Sequence, residues 1–171
     1  YNVTIKRGLS NSYITDNPGK AALNVQAPGK FPDLAGSGGM IKFNPHSTLG
    51  GITTRGNRNS QPFIGLAHEM AHSWDGIDGN LDLRKVPDQD FTYSEHFATH
   101  IENKIRAENF MPLRTHYGYN QITNTGFYRI LQKGGQSIFY GNNYYNDLML
   151  KPIVTPIPVQ IVTPTIIIKS V

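Results

Sequence analysis

The sequence predicts an α+β domain in which a small sheet packs beside two helices. Two segments, at about 61–75 and 93–109, carry apolar residues at helical spacing. "GGMIKFNP" (38–45) reads as a compact strand, entered through glycines and ended by proline. The length of 171 residues suits one core of moderate size.

Taken in order, residues 1–38 read as loops and short strands, with "NVTI" weakly alternating and "NPGK" and "APGK" marking turns. Residues 46–60 read as loop. The first helix has Ser60 as its expected N-cap, Pro62 in the first turn, and Phe63, Leu66, Ala67, Met70, Ala71 and Trp74 as its apolar positions. Asp75-Gly76 is expected to end it. A polar connection over 76–90 leads to the second helix, where Thr92 would cap and Glu95 would close a capping box. Phe97, Ala98, Ile101 and Ile105 form its expected core stripe. A short helix is expected near 124–132. The last segment, 151–171, is rich in Ile, Val and Pro, cannot be helical, and is expected to be an extended tail beside a domain spanning 1–150.

Composition narrows the function classes. Sixteen Lys and Arg against twelve Asp and Glu give a net charge of +4, and the basic residues are scattered, so no nucleic-acid partner is expected. No run reaches the roughly 18 to 20 apolar residues of a membrane span, so no stable membrane insertion is expected. The absence of cysteine removes disulfides, thiolate metal ligands and thiol nucleophiles together. The first residue, Tyr1, suggests a processed or excised piece.

The four glutamates, Glu69, Glu95, Glu102 and Glu108, all fall within one stretch of about 40 residues, alongside five of the six histidines. Glutamates serving only solubility would be spread over the surface. Within this stretch "LAHEMAHSWDG" places His68 and His72 one helical turn apart, so both imidazoles project from one face and reach a single ion at about 2 Å. Glu69 is rotated by about 100°. It falls outside that coordination shell but within reach of a water beside it. Two imidazoles and an adjacent carboxylate base are what zinc-assisted hydrolysis of an amide needs, and one catalytic Zn2+ is the expected cofactor.

A catalytic zinc takes a third protein ligand and keeps one position open. Glu95, in the first turn of the next helix, is the leading candidate; His96, His100, Asp75 and Asp78 are alternatives. Glu102 shares a face with Glu95 and Ala98 and suits a hydrogen bond to a ligand histidine. Asp75 is expected to orient the site or cap the helix end. The oxyanion of amide hydrolysis calls for fixed donors, and "PLRTHYG" offers Arg114 and Tyr117, with His116 in reserve. The 39–44 strand is expected to present an edge that pairs with an extended substrate.

The run "GGMIKFNP", "LAHEMAHSWDG" and "EHFATHIENKIRAENFMPLRTHYG" resembles the NleD-type effector metalloproteases, a zincin family of bacterial effectors and toxin modules. More distantly, the order HExxH, Glu, RxxY resembles the clostridial neurotoxin light chains. The resemblance covers about residues 38–118. It implies a compact zincin-like metalloprotease domain of gluzincin type, with His68, His72 and Glu95 as ligands, Glu69 as base, and Arg114 and Tyr117 stabilising the transition state. It also implies a secreted or translocated bacterial protein whose partner is a protein or peptide substrate inside a target cell. Two other readings stay open: a binding module with a structural zinc, and a zinc hydrolase of a non-protein amide. Substrate, delivery route and oligomeric state are not legible in the sequence.

Overall fold

A computed structural model describes residues 1–22, 35–141 and 143–144. The expected tail, 151–171, lies outside the described residues. The elements run β1 (Val3–Arg7), β2 (Ser12–Thr15), α1 (Pro18–Ala21), β3 (Gly39–Phe43), α2 (Pro62–Ile77), α3 (Tyr93–Glu108), β4 (His116–Asn120) and β5 (Thr125–Arg129). The α+β expectation holds: a three-stranded sheet and a two-stranded sheet flank the packed pair α2 and α3.

In the larger sheet the order is β1-β3-β2. β3 pairs in parallel with β1, Ile41 opposite Ile5, and antiparallel with β2, Ile41 opposite Tyr13. The strand expected at 39–44 is therefore present, but it is the central strand and has no free edge. Its composition explains the placement: Gly39 and Ile41 are buried where the helices cover the sheet, as a central strand requires. The edge next to the helices belongs to β2. Gly65 of α2 makes this approach possible, since a Cβ there would lie 2.2 Å from the Asn11 side-chain amide.

The helix boundaries match expectation to within two residues, and Thr92 holds its expected position, but the cap of α2, the capping box and the buried faces differ. Gln61, not Ser60, is the N-cap of α2, and the Ser60 hydroxyl instead accepts from Arg106 Nη2 at 2.9 Å. Thr92 does cap α3 by position, yet its hydroxyl bonds Ser94, and no capping box forms because Glu95 turns toward the imidazoles. Phe63, Met70 and Trp74 are exposed, while Ile64, Ala71, His72, Ser73 and Gly76 are buried. On α3 the buried set includes Ala98 but also His96, His100, Glu102, Asn103 and Arg106. The seam between the helices is polar, which is why apolar periodicity picks the wrong stripe.

The expected helix near 124–132 is absent. Residues 116–129 form a hairpin in which His116 faces Arg129 and Asn120 faces Thr125. Asn120 Oδ1 accepts from the N–H groups of Ile122 and Thr123, and Asn124 adopts φ 53°. These are turn devices that a helix could not accommodate. Residues 48–60 form an irregular ribbon, bridged between Leu49 and Asn59, whose tip docks on the segment before β4 through Thr54 N–H to Leu113 O and Thr115 N–H to Ile52 O. An apolar cluster of Ala107, Leu113, Leu131 and Tyr144 closes the far side of α3.

Candidate active site

α2 and α3 meet where His68, His72 and Glu95 come together. His68 Nε2 lies 3.0 Å from Glu95 Oε2, and His72 Nε2 lies 3.4 Å from Glu95 Oε1. The two rings stand 5.0 Å apart and nearly perpendicular. One donor atom from each of the three residues falls within 4.8 Å of the others, and among the described residues this is the group of histidines and carboxylates compact enough to hold a metal ion. Two imidazole nitrogens and a carboxylate are a donor set suited to zinc. The geometry follows from sequence spacing: one turn of α2 aligns the two histidines, and Glu95 in the first turn of α3 faces them across the seam.

Around this triad sits a buried charge network. His68 Nδ1 is buried and lies 3.4 Å from Glu102 Oε2, an ion-pair contact longer than a good hydrogen bond, with no other partner. Glu102 also accepts from Arg114 Nη1 at 2.8 Å and Arg106 Nε at 2.8 Å. Burial works against the Glu102 carboxylate, but Arg114, His68 and Arg106 overcome it and hold its pKa far below the ordinary range. Burial likewise opposes the His68 imidazolium, yet Glu102 and Glu95 outweigh it and push its pKa up to about 9. Glu95 is held well below the usual range by the two histidines, against its own burial.

Glu69 is half-buried, and burial raises its pKa above the ordinary value, with the neighbouring Tyr13 backbone N–H working the other way. β2 thus lies beside this carboxylate. Glu69 and Glu95 line two adjoining cavities. One, about 420 Å³, is bounded by the 47–61 segment, Arg114, Tyr117 and Tyr119. The other, about 290 Å³, is bounded by Asn11–Tyr13, Leu81, Leu83 and Thr92.

Tyr117 borders the larger cavity, its ring stacked on Phe91 at 4.2 Å and its phenol near the Glu95 carboxylate. Burial, reinforced by Glu95, pushes its pKa up to about 12, so the phenol stays protonated. Arg114 has a different place from that of a free donor. Its Nη1 bonds Glu102, Nε bonds the His116 carbonyl at 3.0 Å, and Nη2 bonds the Tyr117 carbonyl. It braces Glu102 and the start of β4. Gly51 makes its seat, because a Cβ there would lie 2.3 Å from Arg114 Nε.

The alternative ligands lie elsewhere. His96 is stacked on Phe139 at 3.4 Å between centroids, and His100 Nδ1 bonds the Tyr144 hydroxyl at 2.9 Å. Asp75 lines a separate cavity with Tyr93, Phe97 and Tyr140. Asp78 accepts from Trp74 Nε1 at 3.0 Å, and His116 Nδ1 contacts the Thr115 hydroxyl at 2.8 Å. Sequence reasoning missed Arg106, the largest fully buried side chain among the described residues, and the roles of Asn11 and Tyr13. A helix-interior Arg four residues after Glu102 is a signal for the first; Gly65 and Gly76 on one face of α2 hint at the second.

Neither curated proteins nor solved structures give a match. A family model described as effector protein, Peptidase_M91, matches residues 2–96. That span is more than half of the 171 residues and takes in His68, Glu69, His72 and Glu95, while Glu102, Arg114 and Tyr117 lie past its end. With its histidine-carboxylate cluster, the chain belongs to the Peptidase_M91 family of effector proteins, a peptidase family.

Proposed function

We propose that this chain is a zinc-dependent endopeptidase, translocated into a target cell and cutting a protein there. The observation that carries the reading is the convergence of His68, His72 and Glu95 beside Glu69, at the floor of a cleft that continues on both sides of that glutamate. Three donors on one side, facing a cleft, favour a catalytic ion over an enclosed structural one. Space on both sides of Glu69 favours an internal cut in an extended chain.

His68, His72 and Glu95 would hold the zinc, which when bound supplies Lewis acidity to water and to the scissile carbonyl. Glu69, kept basic enough by burial and lying beside the Tyr13 backbone, takes the proton from the attacking water and delivers it to the leaving amine. Tyr117, protonated at neutral pH, donates its phenol to the developing oxyanion. Glu102 orients His68, and Arg114 acts through Glu102 and the Tyr117 backbone rather than on the substrate.

The test is an incubation of the zinc-loaded chain and of its Glu69→Gln variant with a target-cell lysate, followed by mass spectrometry of new N-termini. Discrete new termini are expected from the wild-type chain alone and vanish with a chelator. Cleavage retained by Glu69→Gln, or unaffected by zinc removal, overturns the assignment. The same variant should still bind zinc, since Glu69 is not among its ligands.

A further inference from the structure

The larger lobe of the cleft contains an arginine that makes no ion pair among the described residues. Arg58 lies on the returning arm of the 48–60 ribbon and lines the same cavity as His68 and Glu69. Its Nε donates to the Gly50 carbonyl at 2.8 Å, and its guanidinium carbon sits 4.2 Å from the centroid of the Tyr119 ring. These two anchors come from different chain segments and fix the plane of the group. The ribbon beneath is itself pinned, by Gly50 N–H to Arg58 O and Ser60 N–H to Thr48 O within it. Its docking on residues 113–115 holds it from outside.

The two terminal nitrogens of Arg58 take part in no hydrogen bond or ion pair among the described residues. Arg114, the other arginine of the cavity, has every nitrogen engaged. An arginine held by its Nε and one face, with its Nη pair open, is a preorganised fork for a carboxylate. Little entropy is lost on binding, because the side chain is already ordered. The smaller lobe offers no counterpart: beyond Glu69, His72 and Glu95 its lining is Asn11, Ser12, Tyr13, Leu81, Leu83, Thr92 and Ser94. The cleft is therefore asymmetric in charge on the two sides of Glu69.

We propose that Arg58 is a specificity-determining residue that receives an acidic side chain, Asp or Glu, of the substrate polypeptide on one side of the scissile bond. The smaller lobe, which has no arginine or lysine in its lining, takes the residues on the other side. This inference rests on the peptidase reading above. Recognition of this kind selects by charge and direction, and fixes which way the substrate chain runs through the cleft.

The experiment offers degenerate peptide libraries, in C-terminally amidated and free-acid forms, to the full chain carrying Glu69→Gln and loaded with zinc. Retained peptides are sequenced by mass spectrometry. The expected result is about tenfold enrichment of Asp and Glu at a single position. Adding Arg58→Glu should abolish that enrichment and favour Lys or Arg at the same position, whereas Arg58→Lys should weaken it without moving it. Enrichment that survives Arg58→Glu unchanged, or no acidic preference at any position, overturns the proposal. A gain in binding only with free C-termini, indifferent to side-chain acids, also overturns it. Digestion of the same libraries by the zinc-loaded wild-type chain separates the two levels: cleavage without an acidic position defeats Arg58 alone, while neither cleavage nor retention of any peptide defeats the peptidase reading and this inference with it.

Discussion

Arg106 donates through Nε to Glu102 Oε1 at 2.8 Å, one helical turn apart on α3, with the arginine wholly enclosed. The same guanidinium reaches the Pro112 carbonyl at 3.2 Å and the Ser60 hydroxyl at 2.9 Å. It therefore ties α3 to the entry of α2 and to the segment before β4. A charge removed from water this completely stabilises only when each donor is met. Replacement by methionine leaves Glu102 short of a partner inside the seam. Arg106→Met should lose about 3 to 5 kcal/mol of folding stability, measured by urea unfolding of the metal-free chain. A loss below about 1 kcal/mol would show that the network contributes little to folding.

Glu102 links this structural network to the candidate metal site, because its second oxygen lies 3.4 Å from His68 Nδ1. A carboxylate behind an imidazole fixes the ring and raises its basicity as a ligand. Glu102→Gln keeps the shape but removes the charge. Zinc affinity, read by competition with a chromophoric chelator, should fall about 10- to 100-fold. An unchanged affinity would mean that His68 needs no orientation from α3.

The legibility of the site follows spacing along single helices. His68, Glu69 and His72 are readable because one turn of helix fixes their mutual placement, whatever surrounds them. Glu95 is readable as a neighbour because scarce glutamates cluster beside the histidines. What lies across the chain is less accessible. Arg58 and Tyr119 are 61 positions apart, and Tyr13 meets Glu69 only after β2 adds to the edge of β3. The fold class survives because apolar periodicity marks helices well, but its inward face is misjudged where the buried partners are Glu102, Asn103 and Arg106. The hairpin at 116–129 is misread because its turn depends on the Asn120 and Asn124 conformations rather than on hydrophobic pattern.

Tyr117 offers a test of where transition-state charge is stabilised. Its phenol lies near Glu95 while its ring is held by Phe91, so Tyr117→Phe removes one donor and leaves the packing. An interaction made with the oxyanion rather than the ground state should appear in kcat, with a fall of about 10²- to 10³-fold and KM nearly unchanged. Steady-state kinetics on a peptide cleaved by the wild-type chain separates the two constants. A rise in KM at constant kcat would place Tyr117 in substrate binding instead.

Asp75 supplies a pH signature outside the metal cluster. Burial, then the charges of Asp78 and Asp82, push its pKa up to about 7 from an ordinary value near 3.8. The folded state therefore holds this proton more tightly than the unfolded chain does. The sign follows from linkage: between about pH 4 and 7 the unfolded state binds fewer protons at this group, so stability falls as pH rises through that window. Above it the full penalty remains. Asp75→Asn carries no charge to desolvate, so it should be more stable than wild type at pH 8, by on the order of 1 kcal/mol after allowance for the screening of a partly exposed group. The advantage should shrink steadily as pH drops and vanish near pH 4, where both side chains are neutral. Thermal melts of the two proteins across this range give the difference directly, and a gap that does not change with pH would assign it to packing instead of charge.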